Sequence, residues 1–270
     1  MSPRVGFIGL GSQGGPMARR IVEGGYPTTL WARRPASLEP YADTSAKVAS
    51  SPAELAAMCD LVCVCVVNDA DVEEVVTAVL SGLARGGVIA VHSTVHPDTC
   101  RRLAGVAAER GVTLIDAPVS GGGMAAEAGR LLVMAGGPEE AVERCRPVFE
   151  TYGNPVVRLG DVGAGQVTKL LNNVLFTANL ATSMSTLGLG EALGVDPQRL
   201  GEVITHGTAN SFALGRVVDG GGSLERLAAH AAGLLRKDVG LVAELAGDAA
   251  EDSTVVTSAD AALRMMHQPR

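Results

Sequence analysis

Short apolar runs alternate with amphipathic stretches along this chain, and the alternation stops near Gly160. No other feature constrains the fold as strongly. Apolar runs recur at residues 4–9, 28–31, 61–67, 88–92, 113–116, 131–135 and 156–159. Between them, residues 14–23, 71–80, 98–110 and 138–151 space their apolar residues as helices do. Strand, helix, strand in this rhythm predicts a mostly parallel sheet with helices on both faces. Beyond Gly160 the strand signal is lost. Residues 163–193 read as one long helix, followed by helices near 197–205, 224–247 and 255–266. The expected architecture is an α/β domain over residues 1–160 and an all-α C-terminal domain over residues 161–270. Gly24-Gly25 is expected to close the first helix, and Gly220-Gly221-Gly222-Ser223 to form a flexible turn with Ser223 as N-cap.

Length and composition allow one large or two ordinary domains. Of 270 residues, 47% are hydrophobic and 19% charged, enough apolar side chains for sizeable cores. Aromatics make up only 3%, so close helix–helix and helix–sheet packing is favoured over an aromatic-rich sandwich. The net charge of -7 comes with no basic block, which argues against a nucleic-acid partner. No apolar stretch reaches the roughly 18 residues that span a bilayer, and the N-terminus enters a strand without signal-peptide anatomy. The five cysteines form no Cys-x-x-Cys pair. No metal site is therefore expected, and a reducing cytoplasm fits.

Two motifs carry chemistry. Gly9-Leu10-Gly11-Ser12-Gln13-Gly14 follows the first strand-like run and opens the first helix, the context a dinucleotide-binding turn requires. Its first glycine permits the tight turn, its second the approach of a pyrophosphate, its third close helix–strand packing. The second strand ends Trp31-Ala32-Arg33-Arg34, with no carboxylate to accept from a ribose 2′-hydroxyl. Arg33 and Arg34 offer forked donors suited to a 2′-phosphate, which favours NADP over NAD. The second motif, Gly163-Ala164-Gly165-Gln166-Val167-Thr168-Lys169-Leu170-Leu171-Asn172-Asn173, puts Lys169 and Asn173 four residues apart on the face of a mostly apolar helix. Two polar groups there are better explained by a polar ligand than by packing. Between the motifs, Asp116-Ala117-Pro118-Val119-Ser120-Gly121-Gly122-Gly123 ends a strand with backbone N–H groups and a hydroxyl, and reads equally as a ligand loop or a plain one.

These blocks in order, together with Lys237-Asp238, resemble the β-hydroxyacid dehydrogenase family, which includes 3-hydroxyisobutyrate dehydrogenase, tartronate semialdehyde reductase and 6-phosphogluconate dehydrogenase. The resemblance covers nearly the whole chain. It implies an N-terminal Rossmann domain, a helical domain for substrate and dimerisation, and a homodimer or homotetramer acting on a small carboxylate. It implies that Lys169 is the catalytic general acid/base and that Ser120, Gly121, Gly122 and Asn173 bind substrate. It also implies that Val66, Val67, Thr94 and Lys237 join the Gly9–Gly14 turn at the cofactor.

The chain departs from the family pattern at Gln13, where methionine is common, and at Val67, where proline is common. Ala125 and Arg130 replace a Gly and a Thr after the substrate loop. These changes bear on substrate choice. His96, His206 and Phe212 are further candidates for the site, each with an ordinary packing or surface role as the alternative. An imine reductase of the same plan, or a non-catalytic nucleotide-binding protein, would lack the lysine, so Lys169 argues against both.

Overall fold

A computed structural model describes residues 2–270. The chain divides into two compact units, one up to Lys169 and one from Leu170.

The first unit is built on a nine-stranded sheet. Its parallel part comprises β1 (Val5–Ile8), β2 (Thr28–Trp31), β3 (Lys47–Val48), β4 (Leu61–Val64), β5 (Val88–Val91) and β6 (Thr113–Asp116). Their order across the sheet is β3-β2-β1-β4-β5-β6. Then β8 (Leu131–Gly136) runs antiparallel to β6 and to β7 (Val119–Ser120), while β9 (Gly153–Gly160) pairs parallel with β8. The helices are α1 (Gly14–Glu23), α2 (Pro52–Ala57), α3 (Asp69–Leu80), α4 (Pro97–Glu109), α5 (Gly122–Glu127) and α6 (Glu139–Phe149).

Strand residues alternate between two cores. Val5, Phe7, Leu61, Cys63, Val88 and Ala90 join one buried cluster with Met17 and Ile21 of α1 and Phe149 of α6. Ile8, Val62, Val64, Ile89 and Val91 join the other with Val72, Val76 and Leu103 of α3 and α4. Burial on both faces explains why these strands read as continuous apolar runs.

The second unit is all helix among its described residues. It holds most of α7 (Ala164–Ala192), then α8 (Pro197–Thr205), α9 (Phe212–Asp219), α10 (Glu225–Ala246), α11 (Asp248–Glu251) and α12 (Thr254–Met265). Leu170, Val174, Ala178 and Ala181 form one stripe of α7 and pack with Val217, Val239, Ala259 and Leu263. Among the described residues, no helix is long and apolar enough to cross a membrane.

The periodic segments fold as their patterns predict, and one cap assignment needs correction. Gly24-Gly25 closes α1 as expected, with Gly24 as the C-cap and Gly25 in the left-handed region at φ 80°. Helix α10 begins with Leu224 as its cap, so Ser223 is one residue early, although its hydroxyl accepts from the Glu225 N–H at 3.1 Å. Strands β3 and β7 and helices α2, α5, α9 and α11 have no counterpart in the sequence reading. Each of these four helices has eight residues or fewer, too few to establish a period.

Candidate active site

Four segments expected to bind ligand leave the carboxyl ends of adjacent parallel strands. The glycine turn follows β1, Val66 and Val67 follow β4, Ser93 and Thr94 follow β5, and the Ser120 loop follows β6. The strand order reverses at β1/β4, and ligands of open parallel sheets bind at that edge. Close contacts join the segments. A β-carbon on Gly9, at φ 100°, would lie 2.0 Å from the Cys65 carbonyl oxygen, and one on Gly14 would lie 2.0 Å from the Gly9 carbonyl oxygen. Ser93 Oγ accepts the Val66 N–H at 2.8 Å. A β-carbon on Gly123 would lie 2.7 Å from the Ser12 carbonyl oxygen.

The glycine turn fits a dinucleotide. A β-carbon on Gly11 would meet nothing within 4 Å, so the backbone is open on that side. Leu10 is half-buried and Ser12 exposed. Helix α1 starts at Gln13 with no side-chain cap and no acidic residue in its first turn. A phosphate there would meet amide N–H groups and the positive end of the helix dipole. A cavity of about 400 Å³ borders Leu10, Gly11, Arg19, Ser37 and Tyr41. Arg33 and Arg34 are exposed beyond β2. The Arg33 guanidinium is held by Asp71 at 3.1 Å and Glu74 at 3.0 Å.

The turn that carries Lys169 is anchored from outside its own sequence. The position before Ala164 is a glycine, which supplies no side-chain cap. Asp116, at the end of β6 and fully buried, supplies it instead. Its Oδ1 accepts the Gly163 N–H at 2.7 Å and its Oδ2 the Gln166 N–H at 2.8 Å. Burial pushes the Asp116 carboxyl up, while the N–H groups of Gly163, Gln166 and Gly165 oppose that shift. The approach requires glycine on both sides. A β-carbon on Gly136 would lie 2.5 Å from Asp116 Oδ1, and one on Gly165 would lie 2.3 Å from the Met134 carbonyl oxygen and 2.9 Å from Asp116 Oδ2. Gln166, fully buried, donates Nε2–H to the Ser93 carbonyl at 2.8 Å and accepts the Val95 N–H on Oε1 at 3.1 Å. Sequence reasoning gave no role to Asp116, Gly136 or Gln166. The available signal was an acid closing an apolar strand and a long helix without its own cap.

Lys169 and Thr94 are half-buried. Ser120 is half-buried in β7, and Gly121 and Gly122, at φ 131° and 74°, follow it exposed. Val66 is half-buried and Val67 is exposed. In the second unit, Asn173 donates Nδ2–H to Asp238 Oδ2 at 2.6 Å, and Lys237 Nζ lies 3.3 Å from Asp238 Oδ1. Asp238, buried in α10, thus joins two of the expected site residues. His96 has a capping role: its Nδ1 accepts the Asp98 N–H at 3.1 Å. His206 is an exposed helix cap, and Phe212 is 72% exposed, so core packing does not account for it. Among the described residues, no group of three His, Cys, Asp or Glu is placed to hold a metal.

His92, beside Ser93, is buried between Phe7, Phe149 and Tyr152. Its Nδ1–H donates to the Ala117 carbonyl at 2.6 Å, and Nε2 accepts from the Tyr152 hydroxyl at 3.2 Å. Burial lowers its pKa to about 4. The folded state therefore binds fewer protons than the unfolded chain between the ordinary histidine pKa and about 4, and stability falls as pH drops through that window. The expected loss is up to about 3 kcal/mol. Urea unfolding at pH 7 and pH 4.5 checks it. A His92→Phe variant should lose less stability across the window than the parent, and an equal loss would contradict the assignment.

Residues 4–160 match the NAD binding domain of 6-phosphogluconate dehydrogenase, and residues 163–269 match the domain described as NAD-binding of NADP-dependent 3-hydroxyisobutyrate dehydrogenase. The chain is 35% identical over 216 residues to the 2-(hydroxymethyl)glutarate dehydrogenase of Eubacterium barkeri, covering 79% of this chain and 72% of that protein. It is 35% identical over 213 residues to the 3-hydroxyisobutyrate dehydrogenase of Pseudomonas aeruginosa, covering 78% and 72%. The structure of Mycobacterium tuberculosis 3-hydroxyisobutyrate dehydrogenase with L-serine superposes with a TM-score of 0.85 at 27% identity, covering 96% of this chain and 91% of that one. With a Rossmann domain, a helical domain and these relatives, the chain belongs to the β-hydroxyacid dehydrogenases, NAD(P)-dependent oxidoreductases of small hydroxy acids.

Proposed function

We propose that this enzyme interconverts a small β-hydroxy acid and its semialdehyde or keto form, with Lys169 as the general acid/base and NADP as the preferred cofactor. The anchoring of Lys169 carries the reading: its turn of α7 is bonded through Asp116 to the end of β6 and through Gln166 to the loop after β5. Oxidation removes a hydride from the hydroxyl-bearing carbon and a proton from the hydroxyl. Hydride acceptance is the chemistry that the nicotinamide supplies when bound. Lys169, as the neutral amine, takes the hydroxyl proton and returns it in the reverse direction. Ser120 and the amides of Gly121 and Gly122 bind the carboxylate, leaving Lys169 for the alcohol. Asn173 orients the reacting oxygen or the lysine, held in turn by Asp238.

The cofactor is bound by Gly9, Leu10, Gly11, Ser12, Gln13 and Gly14, by Val66, Val67 and Thr94, and by Lys237. Arg33 and Arg34 meet the 2′-phosphate. Arg33 must release Asp71 and Glu74 to do so, so Arg34→Ser is expected to cost more than Arg33→Ser. The double variant should raise KM for NADP+ roughly tenfold and leave that for NAD+ within about threefold. Equal effects on both cofactors would remove the NADP preference from this reading.

Residues 1–160 serve the cofactor, and residues 161–270 serve substrate and self-association as a homodimer or homotetramer. Exposed Leu171, Leu175 and Leu189 along α7, with Leu193 just past its end, support that association. Five free cysteines suit a cytoplasmic setting.

Steady-state assays of 3-hydroxyisobutyrate, L-serine, L-threonate and glycerate, each with NAD+ and NADP+, test the proposal. Turnover of at least one acid with NADP+ is the expected result. Reduction of a cyclic imine without turnover of any hydroxy acid would replace it with the imine reductase reading.

A further inference from the structure

We propose that Gln166 and Asp116 are positioning residues of the reaction, locking the turn that carries Lys169 and the peptide that carries Thr94 into one rigid element at the sheet edge. The inference rests on Lys169 as the proton-transfer group. Gln166 bonds the residues on either side of Thr94: the carbonyl of Ser93 at 2.8 Å and the N–H of Val95 at 3.1 Å. One planar amide thus restrains the two peptides that set the backbone of Thr94. Ser93 Oγ extends the chain of bonds by accepting the Val66 N–H at 2.8 Å. The same residue, Gln166, donates its own backbone N–H to Asp116 and sits one turn before Lys169. Asp116 clamps Gly163 and Gln166 with separate oxygens, fixing both the position and the rotation of that turn about the helix axis.

Simple capping would need only one acceptor and would leave the loop after β5 independent. Here every polar atom of the Gln166 amide is directed to that loop, and the side chain is fully buried. Such a group is costly to bury unless its bonds are made. A lysine that must meet one hydroxyl proton, and a threonine beside the cofactor, gain from being held in a common frame, because a displacement of about 1 Å costs about a hundredfold in rate.

The test uses Q166M, which preserves length and apolar bulk but makes neither bond, and Q166E, which keeps an acceptor for Val95 but, as the carboxylate, cannot donate to Ser93. Amide hydrogen exchange on the cofactor-free chain reads the coupling directly. Q166M is expected to exchange about tenfold faster at residues 93–96 and 163–167, with β1 and β4 unchanged. With the acid that turns over best, kcat should fall about 30-fold while KM stays within about threefold, and Q166E should be intermediate. Unchanged exchange at residues 93–96, or kcat within about threefold of the parent, would overturn the proposal. If Q166M does not fold, Q166E decides by the same two readouts. An active Lys169→Ala variant would instead sink the proton-transfer reading and leave the exchange result standing.

Discussion

Replacing Lys169 with alanine is expected to lower kcat about a thousandfold, within the usual contribution of general acid–base catalysis. NADPH binding, followed by fluorescence titration, should change less than about twofold, because the lysine acts on the alcohol and not on the phosphates. Lys169→Arg separates proton transfer from charge. A guanidinium keeps the positive charge but stays protonated, so it cannot accept a proton. The arginine variant should therefore be about as slow as the alanine one. Small primary amines added to Lys169→Ala should restore part of the rate and leave Lys169→Arg unaffected. Unchanged turnover in Lys169→Ala would remove the mechanism entirely.

The second large effect concerns two glycines on one helix. Gly165→Ala places a β-carbon 2.3 Å from the Met134 carbonyl oxygen and 2.9 Å from Asp116 Oδ2. Both neighbours are held, one as strand backbone and one as a buried, hydrogen-bonded carboxylate. The helix start must move away, at a cost of about 3 kcal/mol. Gly188→Ala lies on the same helix, exposed, with nothing within 4 Å of the new β-carbon. It should instead stabilise by about 0.5–1 kcal/mol, because alanine loses less backbone entropy in a helix. Urea unfolding of the two variants should therefore give shifts of opposite sign. Gly165→Ala should also slow turnover, since it displaces the turn that carries Lys169. Shifts of equal sign would mean that the close approach at Asp116 does not hold the helix.

Much of the fold is legible in the local pattern. Strands β1, β2, β4, β5, β6 and β8 are short apolar runs because both faces of the sheet are buried. Helices α1 and α8 span the residues that their periodicity and flanking turns indicate. The two-residue strands β3 and β7 carry no period at all and exist because neighbouring strands leave edges for them to pair with. The N-cap of α10 falls on Leu224, one residue beyond Ser223, because helix ends shift by a residue at little cost.

At the site, the sequence by itself determines the chemical groups. The glycines of the first turn, two arginines after β2, and a lysine and an asparagine four apart on one helix are all visible in the order of residues. The tertiary structure alone decides what holds them. Asp116 caps a helix 47 residues away, and Gln166 bonds to Ser93, 73 residues away. No local pattern encodes such bonds. They follow from burial: once the sheet closes around Asp116 and Gln166, the only partners that can satisfy their polar atoms are the ones the fold has brought beside them.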